Sequence, residues 1–360
     1  MLILDRYLVK QFLQTLLFGL LAFTLIFVVI DMMENLDDFI DKDLPFTLVL
    51  QYYLVFTPEI IKLMTPVAVL FGCLFTTGRM VNLNELTSIK ASGVSMYRFM
   101  TPFFIVTIII CLISIFFGGY VVPQANKSKL HIENHYLHKR LEFNNSNLFF
   151  QDAKNRIVNI SFYDERNLQA VRVGIQEFNP NDLTRMTYRL DAERIVFDTV
   201  KNRWIAFNGS EKEFKGKGEI VAFFREKEIM NLNFLPDDLS FKQQKPQQMN
   251  LEELRKLIDE RKKSGNDPTR IEIEYHARYS FAMASLVCVL FGLPFSANKR
   301  RGGLALQFGI NVLLTFLYLG FTQIFQAFGK NGSLNPLLTA WLTNILFLVA
   351  ASINIFRVKQ

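Results

Sequence analysis

The ionisable residues that could carry chemistry fall in three places, the first of which is inside an apolar run. Glu59 and Lys62 lie three positions apart, so on a helix they share a face and can neutralise each other. Ionisable side chains at membrane depth usually face a bundle interior or a water-filled cavity, which makes the pair a candidate site. Because Pro58 lies near the outer third of the run, snorkelling of Lys62 to the interface explains the pattern equally well.

The second place is a histidine series, His131, His135 and His138, at positions i, i+4 and i+7. This spacing could hold a metal ion, but Glu133 lies off that face and no closed set of ligands follows. A solvated helix face accounts for the same residues, so no metal site is predicted.

The third place is a short polar segment, 79–93, between two apolar runs. Asn82 and Glu85 have the spacing of a capping pair and Gly93 suits the end of a helix, which predicts a small helix over about 82–93. Two interpretations stay open. Glu85 either caps an amphipathic turn that lies on the bilayer, or marks a helix that docks a soluble partner.

Motifs of soluble catalysis are absent from the sequence. It contains no phosphate-binding loop ending in Gly-Lys-Ser/Thr, no His-Glu-x-x-His and no Gly-x-Ser-x-Gly. We therefore expect no catalytic residues and no cofactor in this chain, and an intramembrane enzyme using Glu59 or the histidines is kept only as a third hypothesis.

The elements that must position these residues are six apolar runs around a polar insert. Each run is near or above the ~20 residues that cross the hydrocarbon as a helix, so six membrane helices are predicted. The runs are 12–30, 52–77, 100–122, 279–295, 304–328 and 336–356. They divide the chain into a membrane half at 1–122, an insert at 123–278 and a second membrane half at 279–360.

The orientation follows from the Lys and Arg residues of the short connections, since cytoplasmic loops carry the excess. Cations lie at the amino end, in the second and fourth connections and in the tail: Arg6, Lys10, Arg79, Lys90, Arg98, Lys299, Arg300, Arg301, Arg357 and Lys359. The first connection is acidic. Both termini are therefore predicted to be cytoplasmic and the insert to lie outside.

The charge and the cysteines exclude two further classes. The net charge of +7 is explained by the loop asymmetry and the insert, and no Lys/Arg tract interleaved with aromatics predicts nucleic-acid binding. Cys73, Cys111 and Cys288 all fall in predicted spans, so the insert cannot depend on disulfides, and the three are interpreted as buried small apolar residues.

The insert is patterned like a β domain with helical flanks. Alternating stretches at 156–160, 170–175, 194–197 and 219–224 predict an antiparallel sandwich or open barrel. A helix is predicted over 250–263, with Asn250 as its cap and Glu253 three positions on.

Four strings together identify a resemblance, and their order and spacing run over nearly the whole chain. They are Leu4-Asp5-Arg6-Tyr7, Asn84-Glu85-Leu86 to Ala91-Ser92-Gly93, Val122-Pro123-Gln124 and Leu235-Pro236-Asp237-Asp238-Leu239. The chain resembles the lipopolysaccharide export permeases of the LptF/LptG family. Its Leu-Asp-Arg-Tyr start is closer to the G-type than to the F-type.

The resemblance implies half of a transporter in the inner membrane of a Gram-negative bacterium. Two permeases, copies or paralogues, would pair and be driven by a cytoplasmic ABC ATPase dimer (LptB-like) that binds ATP and Mg. The insert would be a periplasmic β-jellyroll that passes lipopolysaccharide to bridge proteins (LptC/LptA-like). The alternative hypothesis is a membrane-anchored module that binds a periplasmic ligand or protein without transport.

The resemblance also implies roles for particular residues. Glu85 matches the coupling carboxylate that seats in the ATPase, and Leu86, Ile89 and Arg79 would accompany it. The first and fifth spans would line lateral gates.

One departure concerns recognition of the lipid's phosphates. Glu34 and Glu59 stand where the G-type pattern has cations. Positive charge at the mouth of the cavity could come instead from four other residues, Lys62, Lys127, Lys129 and Arg140. Alternatively the partner subunit carries the cations, or the lipid is less phosphorylated.

Overall fold

The computed structural model describes residues 3–136, 148–164, 167–215, 218–229, 232–236, 238–239, 244–263, 267–296 and 303–357. The chain forms two compact units, Met1–Leu137 with Pro246–Gln360, and His138–Lys245. The first unit is helical and the second contains an antiparallel sheet. The second unit is narrower than the predicted insert, because the helices that flank the sheet group with the helical unit.

The helical unit contains ten α-helices among the described residues. They are α1 Ile3–Glu34, α2 Leu36–Asp41, α3 Phe46–Asn82, α4 Glu85–Ala91, α5 Met96–Phe116, α6 Val122–His135, α7 Leu251–Lys263, α8 Thr269–Ser296, α9 Gly303–Lys330 and α10 Pro336–Arg357. In the described part of the chain, α1, α3, α5 with α6, α8 and α10 give five helical stretches long and apolar enough to cross a membrane. Helix α9 covers the predicted fifth run but is not among these five, so the number of six spans stays a prediction.

The N-terminal half of α1 packs tightly on α3. Its buried residues recur every three or four positions and form one stripe: Asp5, Leu8, Phe12, Leu16 and Gly19. A Cβ on Gly19 would lie 2.7 Å from a ring carbon of Phe71, so the two helices approach closely there. Beyond Gly19 no residue of α1 is buried.

A π-helical turn, Phe117–Val121, joins α5 to α6 where the sequence predicts an uninterrupted span. The turn contains Gly118 and Gly119, and a Cβ on Gly119 would lie 2.6 Å from a methyl carbon of Leu251. Because α7 packs this closely, a side chain at position 119 would require Leu251 to move.

Polar side chains join the last three long helices. The Asn344 amide donates to the Ser280 carbonyl (2.7 Å), and Tyr318 donates its hydroxyl to the Asn344 side-chain oxygen (2.9 Å). Such hydrogen bonds between helices stabilise membrane bundles, because lipid supplies no hydrophobic drive to association. Among the predicted buried cysteines, Cys73 and Cys111 are buried and Cys288 is half-buried.

The helix predicted over 250–263 is confirmed as α7. The Asn250 backbone N–H donates to the Glu253 carboxylate (2.7 Å), and the Glu253 N–H donates to the Asn250 side-chain oxygen (2.8 Å). This reciprocal pair is a capping box. The apolar residues along one face of α7 are buried: Leu251, Leu254, Leu257 and Ile258.

The second unit is built on one six-stranded antiparallel sheet in chain order. Its strands are β1 Leu148–Ala153, β2 Arg156–Asp164, β3 Gln169–Asn179, β4 Asp182–Asp198, β5 Arg203–Lys215 and β6 Gly218–Ile229. The four predicted stretches lie in β2, β3, β4 and β6, while β1 and β5 were not predicted. The antiparallel arrangement is confirmed, and the jellyroll stays a prediction.

One row of residues creases this sheet. In each strand from β2 to β6, one residue is left out of the ladder of paired residues, and these five residues lie side by side across the sheet. They are Ser161, Arg172, Glu193, Asn208 and Arg225. Arg172 and Asn208 have φ of +51° and +50°, in the left-handed region that strands do not use. We call this row the crease.

The crease explains how both halves of the sheet bury one core. In β3, Ala170 is buried before the crease, whereas Val173 and Ile175 are buried after it, so the buried side changes from even to odd positions. An unbroken strand would keep one parity and send half of these apolar side chains to solvent. The change recurs in β2 and β4, and the buried residues of both halves join one cluster with Trp204.

The crease predicts a position-specific response to a β-branched residue. We expect Asn208→Val to lower the free energy of unfolding by about 1–2 kcal/mol, because valine at positive φ places its Cβ against the carbonyl oxygen. Asn159→Val is the control, since Asn159 is an exposed asparagine in regularly paired β2. Thermal unfolding of both variants measures the effect, and equal losses would contradict the crease.

Candidate functional site

The short helix α4 lies between two helices that are long enough to span a membrane, as the sequence predicts, but its start was assigned wrongly. Asn82 is the last residue of α3 and not a cap. Asn84 precedes α4 with φ of +60°, and its side chain makes no capping bond. The predicted end is confirmed, because Gly93 has φ of +86° and its N–H donates to the Lys90 carbonyl (3.0 Å).

The predicted coupling residues divide into two groups. Leu86 is 3% exposed and Ile89 is half-buried, and both pack on the core formed by α1, α3 and α5. Glu85 is partly exposed and Arg79, on the last turn of α3, is exposed. The geometry therefore leaves Glu85 and Arg79 accessible to a partner, whereas Leu86 anchors α4 within the chain.

Two polar contacts tie this region to the start of α1. The Tyr7 hydroxyl donates to the Glu85 carboxylate (2.9 Å). Arg98, in the first turn of α5, lies 2.8 Å from the Asp5 carboxylate. The N-terminal turns of α1 thus contact both α4 and α5.

Two of the proposed mouth cations are already paired. Lys127 on α6 lies 3.0 Å from Glu253 on α7. Lys129 lies 3.8 Å from Glu133 and 4.1 Å from the centre of the Phe56 ring, a cation–π contact. Their positive charge is largely taken up within the chain.

The remaining mouth candidates do not form the predicted pair. Glu59 and Lys62 both lie on α3, but no ion pair joins them among the described residues. Glu34 is exposed at the end of α1. Arg140 lies outside the described residues.

Sequence reasoning missed Arg278, which is 4% exposed within α8. Its guanidinium donates to the Pro246 carbonyl (2.9 Å) and to the Gly119 carbonyl (3.4 Å). Glu274 lies 3.7 Å from its Nε. One side chain thus joins α8 to the π-helical turn and to the segment that precedes α7.

A signal for this residue was present. Arg278 directly precedes the predicted fourth run, and was assigned to the end of the insert. Because α8 begins ten residues before the predicted run, at Thr269, Arg278 lies inside a candidate span. A buried arginine at such a position requires partners, and therefore marks a structural or functional site.

The histidine series shows no metal geometry in the described part of the chain. No group of three His, Cys, Asp or Glu side chains there could hold a metal ion. Only part of the series can be placed, since His138 lies outside the described residues.

The sheet carries charged clusters on its surface. Tyr188 donates its hydroxyl to Glu211 (3.1 Å), and Lys227 contacts the same carboxylate, which lowers the pKa of Glu211. Arg189 pairs with Asp191 (2.7 Å) beside a concave surface lined mainly by polar residues. The sheet also has a buried apolar core, although Phe149, Ile220 and Phe223 are exposed on it.

The described architecture defines a class. Several apolar helices of spanning length, interrupted after the third candidate span by an antiparallel sheet, form a multi-pass membrane protein with one inserted domain. The family model described as "Lipopolysaccharide export system permease LptF/LptG" matches residues 6–357, and the chain belongs to this family. It is accordingly an inner-membrane permease.

Two curated relatives give the same result. The chain is 22% identical over 301 residues to the lipopolysaccharide export system permease protein LptG of Escherichia coli strain K12, covering 82% of each chain. The LptG protein of Escherichia coli O6:H1 strain CFT073 matches with the same identity and coverage.

The Arg278 contacts predict a large loss of stability when this side chain is removed. We expect Arg278→Met to lower the free energy of unfolding by about 3 kcal/mol, because it leaves two carbonyls and Glu274 without their donor in a buried site. Arg270→Met is the control, since Arg270 is exposed on the same helix.

Thermal unfolding in detergent measures both variants. Similar midpoints for Arg278→Met and Arg270→Met would contradict the structural role of Arg278.

Proposed function

We propose that the chain is the permease subunit of an ATP-driven transporter that extracts lipopolysaccharide from the inner membrane and passes it to a periplasmic bridge. Six spans would cross the membrane, with α9 as the fifth. Both termini would be cytoplasmic and the sheet unit periplasmic. Membership of the permease family and the basic connections support this assignment.

The observation that carries the proposal is the placement of α4. A seven-residue helix between two candidate spans is anchored by buried Leu86 and leaves Glu85 partly exposed. An exposed carboxylate on an anchored helix suits a charge-assisted contact with a partner. Since the sequence has no phosphate-binding loop, ATP hydrolysis would be the partner's reaction.

Energy would pass from ATP to the lipid by a shift of populations. A partner whose affinity for α4 differs between two arrangements of the spans shifts the equilibrium toward the arrangement that it binds more tightly. The difference in binding free energy sets the size of this shift. One of these arrangements would narrow the lipid cavity. The acyl chains would then leave toward the periplasmic unit, whose jellyroll is part of this proposal.

Lys62 is the mouth cation best placed to meet a lipid phosphate. Lys127 and Lys129 are paired with Glu253 and Glu133, whereas no described carboxylate forms an ion pair with Lys62. A second permease subunit would complete the cavity and could add cations of its own.

The first test is purification of the tagged chain in detergent together with any bound ATPase. We expect an ATPase dimer to copurify with the wild type, and Glu85→Ala to lower coupled ATP turnover roughly tenfold or more, since hydrogen bonds to charged groups contribute about 1.5–3 kcal/mol. Asp41→Ala is the control, because Asp41 is an exposed carboxylate at the end of α2, on the predicted opposite side of the membrane.

The outcomes separate the hypotheses. A wild type without any ATPase would contradict transport and favour the membrane-anchored binding module. Full coupling in Glu85→Ala would contradict the docking role of α4 alone.

The second test compares two lysines. We expect Lys62→Met to lower the amount of copurified lipopolysaccharide roughly tenfold, because it removes a charge-assisted contact with phosphate. Lys127→Met should have a smaller effect, since Glu253 already takes up its charge. Phosphate per protein after purification gives the measurement, and equal losses would argue against a special role for Lys62.

A further inference from the structure

The first turn of α1 contains the Leu4-Asp5-Arg6-Tyr7 string, and two of its side chains bond to the elements around α4. Tyr7 donates to Glu85 at 2.9 Å and Asp5 pairs with Arg98 at 2.8 Å. We propose that Tyr7 and Asp5 are positioning residues, which fix α4 to α1 so that a displacement of Glu85 by the ATPase moves the first span. This inference rests on the proposed function.

Helix α4 cannot hold its own position. It has seven residues, well below the ~12–15 at which isolated helices become marginally stable, and Asn84 gives it no side-chain cap. Its geometry must therefore be imposed by contacts with other helices.

Buried Leu86 supplies only part of that geometry. It lies in one apolar cluster with Leu8 of α1 and Met96 of α5. Burial of apolar surface is non-directional, so it fixes the depth of α4 but leaves the helix free to roll about its axis. The Tyr7–Glu85 hydrogen bond is directional and is made at the adjacent position, so it sets the roll.

The Asp5–Arg98 pair fixes the other side of the same connection. Asp5 is 9% exposed, which makes loss of its partner costly. Helix α4 directly precedes α5. The two bonds therefore hold the start of α4, at Glu85, and the start of α5, at Arg98, against the first residues of α1.

The Tyr7 bond leaves Glu85 available to a partner. A carboxylate accepts hydrogen bonds at both oxygens, and Tyr7 bonds only Oε2. Among the described residues, none bonds Oε1. Tyr7 therefore orients the carboxylate without competing for it.

The path from Glu85 continues along α1. The buried stripe extends from Asp5 to Gly19, so this half of α1 is packed and moves with its first turn. Movement of Glu85 thus reaches the membrane part of the first span through one hydrogen bond and one apolar contact.

The test uses the full complex in lipid nanodiscs and measures both ATP turnover and lipopolysaccharide released per ATP. We expect the Tyr7→Phe complex to retain its bound ATPase and to release at least about fivefold less lipopolysaccharide per ATP. A change of this size corresponds to a typical coupling free energy. Tyr97→Phe is the matched control, since Tyr97 is 54% exposed on α5 and its hydroxyl bonds no described residue. The control should match the wild type.

A double-mutant cycle distinguishes positioning from general damage. If Tyr7 acts through Glu85, adding Tyr7→Phe to Glu85→Ala causes no further loss of lipid release per ATP. Additive losses would overturn the proposal, as would wild-type coupling in Tyr7→Phe. Loss of bound ATPase in Tyr7→Phe would make Tyr7 a docking residue and overturn it too.

Failure of the proposed function looks different. It would appear in the wild type as absence of ATPase or of lipid release. An exporting wild type with a fully coupled Tyr7→Phe would leave the transporter intact and remove only the positioning role.

Discussion

The buried Arg278 guanidinium is the interaction that joins α8 to the π-helical turn, where it donates to the Gly119 carbonyl. A π-helical turn departs from the regular α-helical ladder, and unsatisfied backbone groups at membrane depth cost several kcal/mol each. Arg278 supplies the donor from α8 and also bonds Pro246, so three separate segments meet at one guanidinium. Leu251 packs on Gly119 at the same place. These contacts hold the π-helical turn, α7 and α8 together at one point.

Several charged residues of the helical unit form contacts between helices that their positions in the sequence do not indicate. Helix α6 is held to α7 by Lys127 and Glu253, and to α3 by Lys129 over Phe56. Tyr52 adds a hydrogen bond to Glu133 (3.2 Å). The cations of α6 that the sequence presented as ligands for a lipid headgroup therefore hold α6 in place in the described arrangement.

Sequence patterns predicted the helices correctly where the interactions that form them join residues close in the sequence. Hydropathy located the long helices, and the Asn250–Glu253 spacing located α7, because a capping box involves residues three positions apart. The π-helical turn could not be foreseen, since the residue that packs on Gly119 is Leu251, more than a hundred residues away. The capping role given to Asn82 was wrong because α3 continues through it.

The crease escaped prediction for a related reason. Its left-handed positions are occupied by Arg172 and Asn208 instead of glycine, so composition gives no warning. Only the pairing of five strands reveals that the skipped residues form one row. The predicted pair of Glu59 and Lys62 failed for a similar reason, because residues on one helical face need not form an ion pair.

The uneven burial of α1 makes this helix a lever. Full burial ends at Gly19, where α1 and α3 touch closely, and the fifteen residues that follow to Glu34 are at most partly buried, with Phe23 still packed on Phe71. At 1.5 Å per residue that arm is about 22 Å long, so a tilt of about 10° at Gly19 would swing its end by about 4 Å. Tyr7 lies about 18 Å from Gly19 on the other arm, so a movement imposed at Tyr7 would reach the Glu34 end at about the same size.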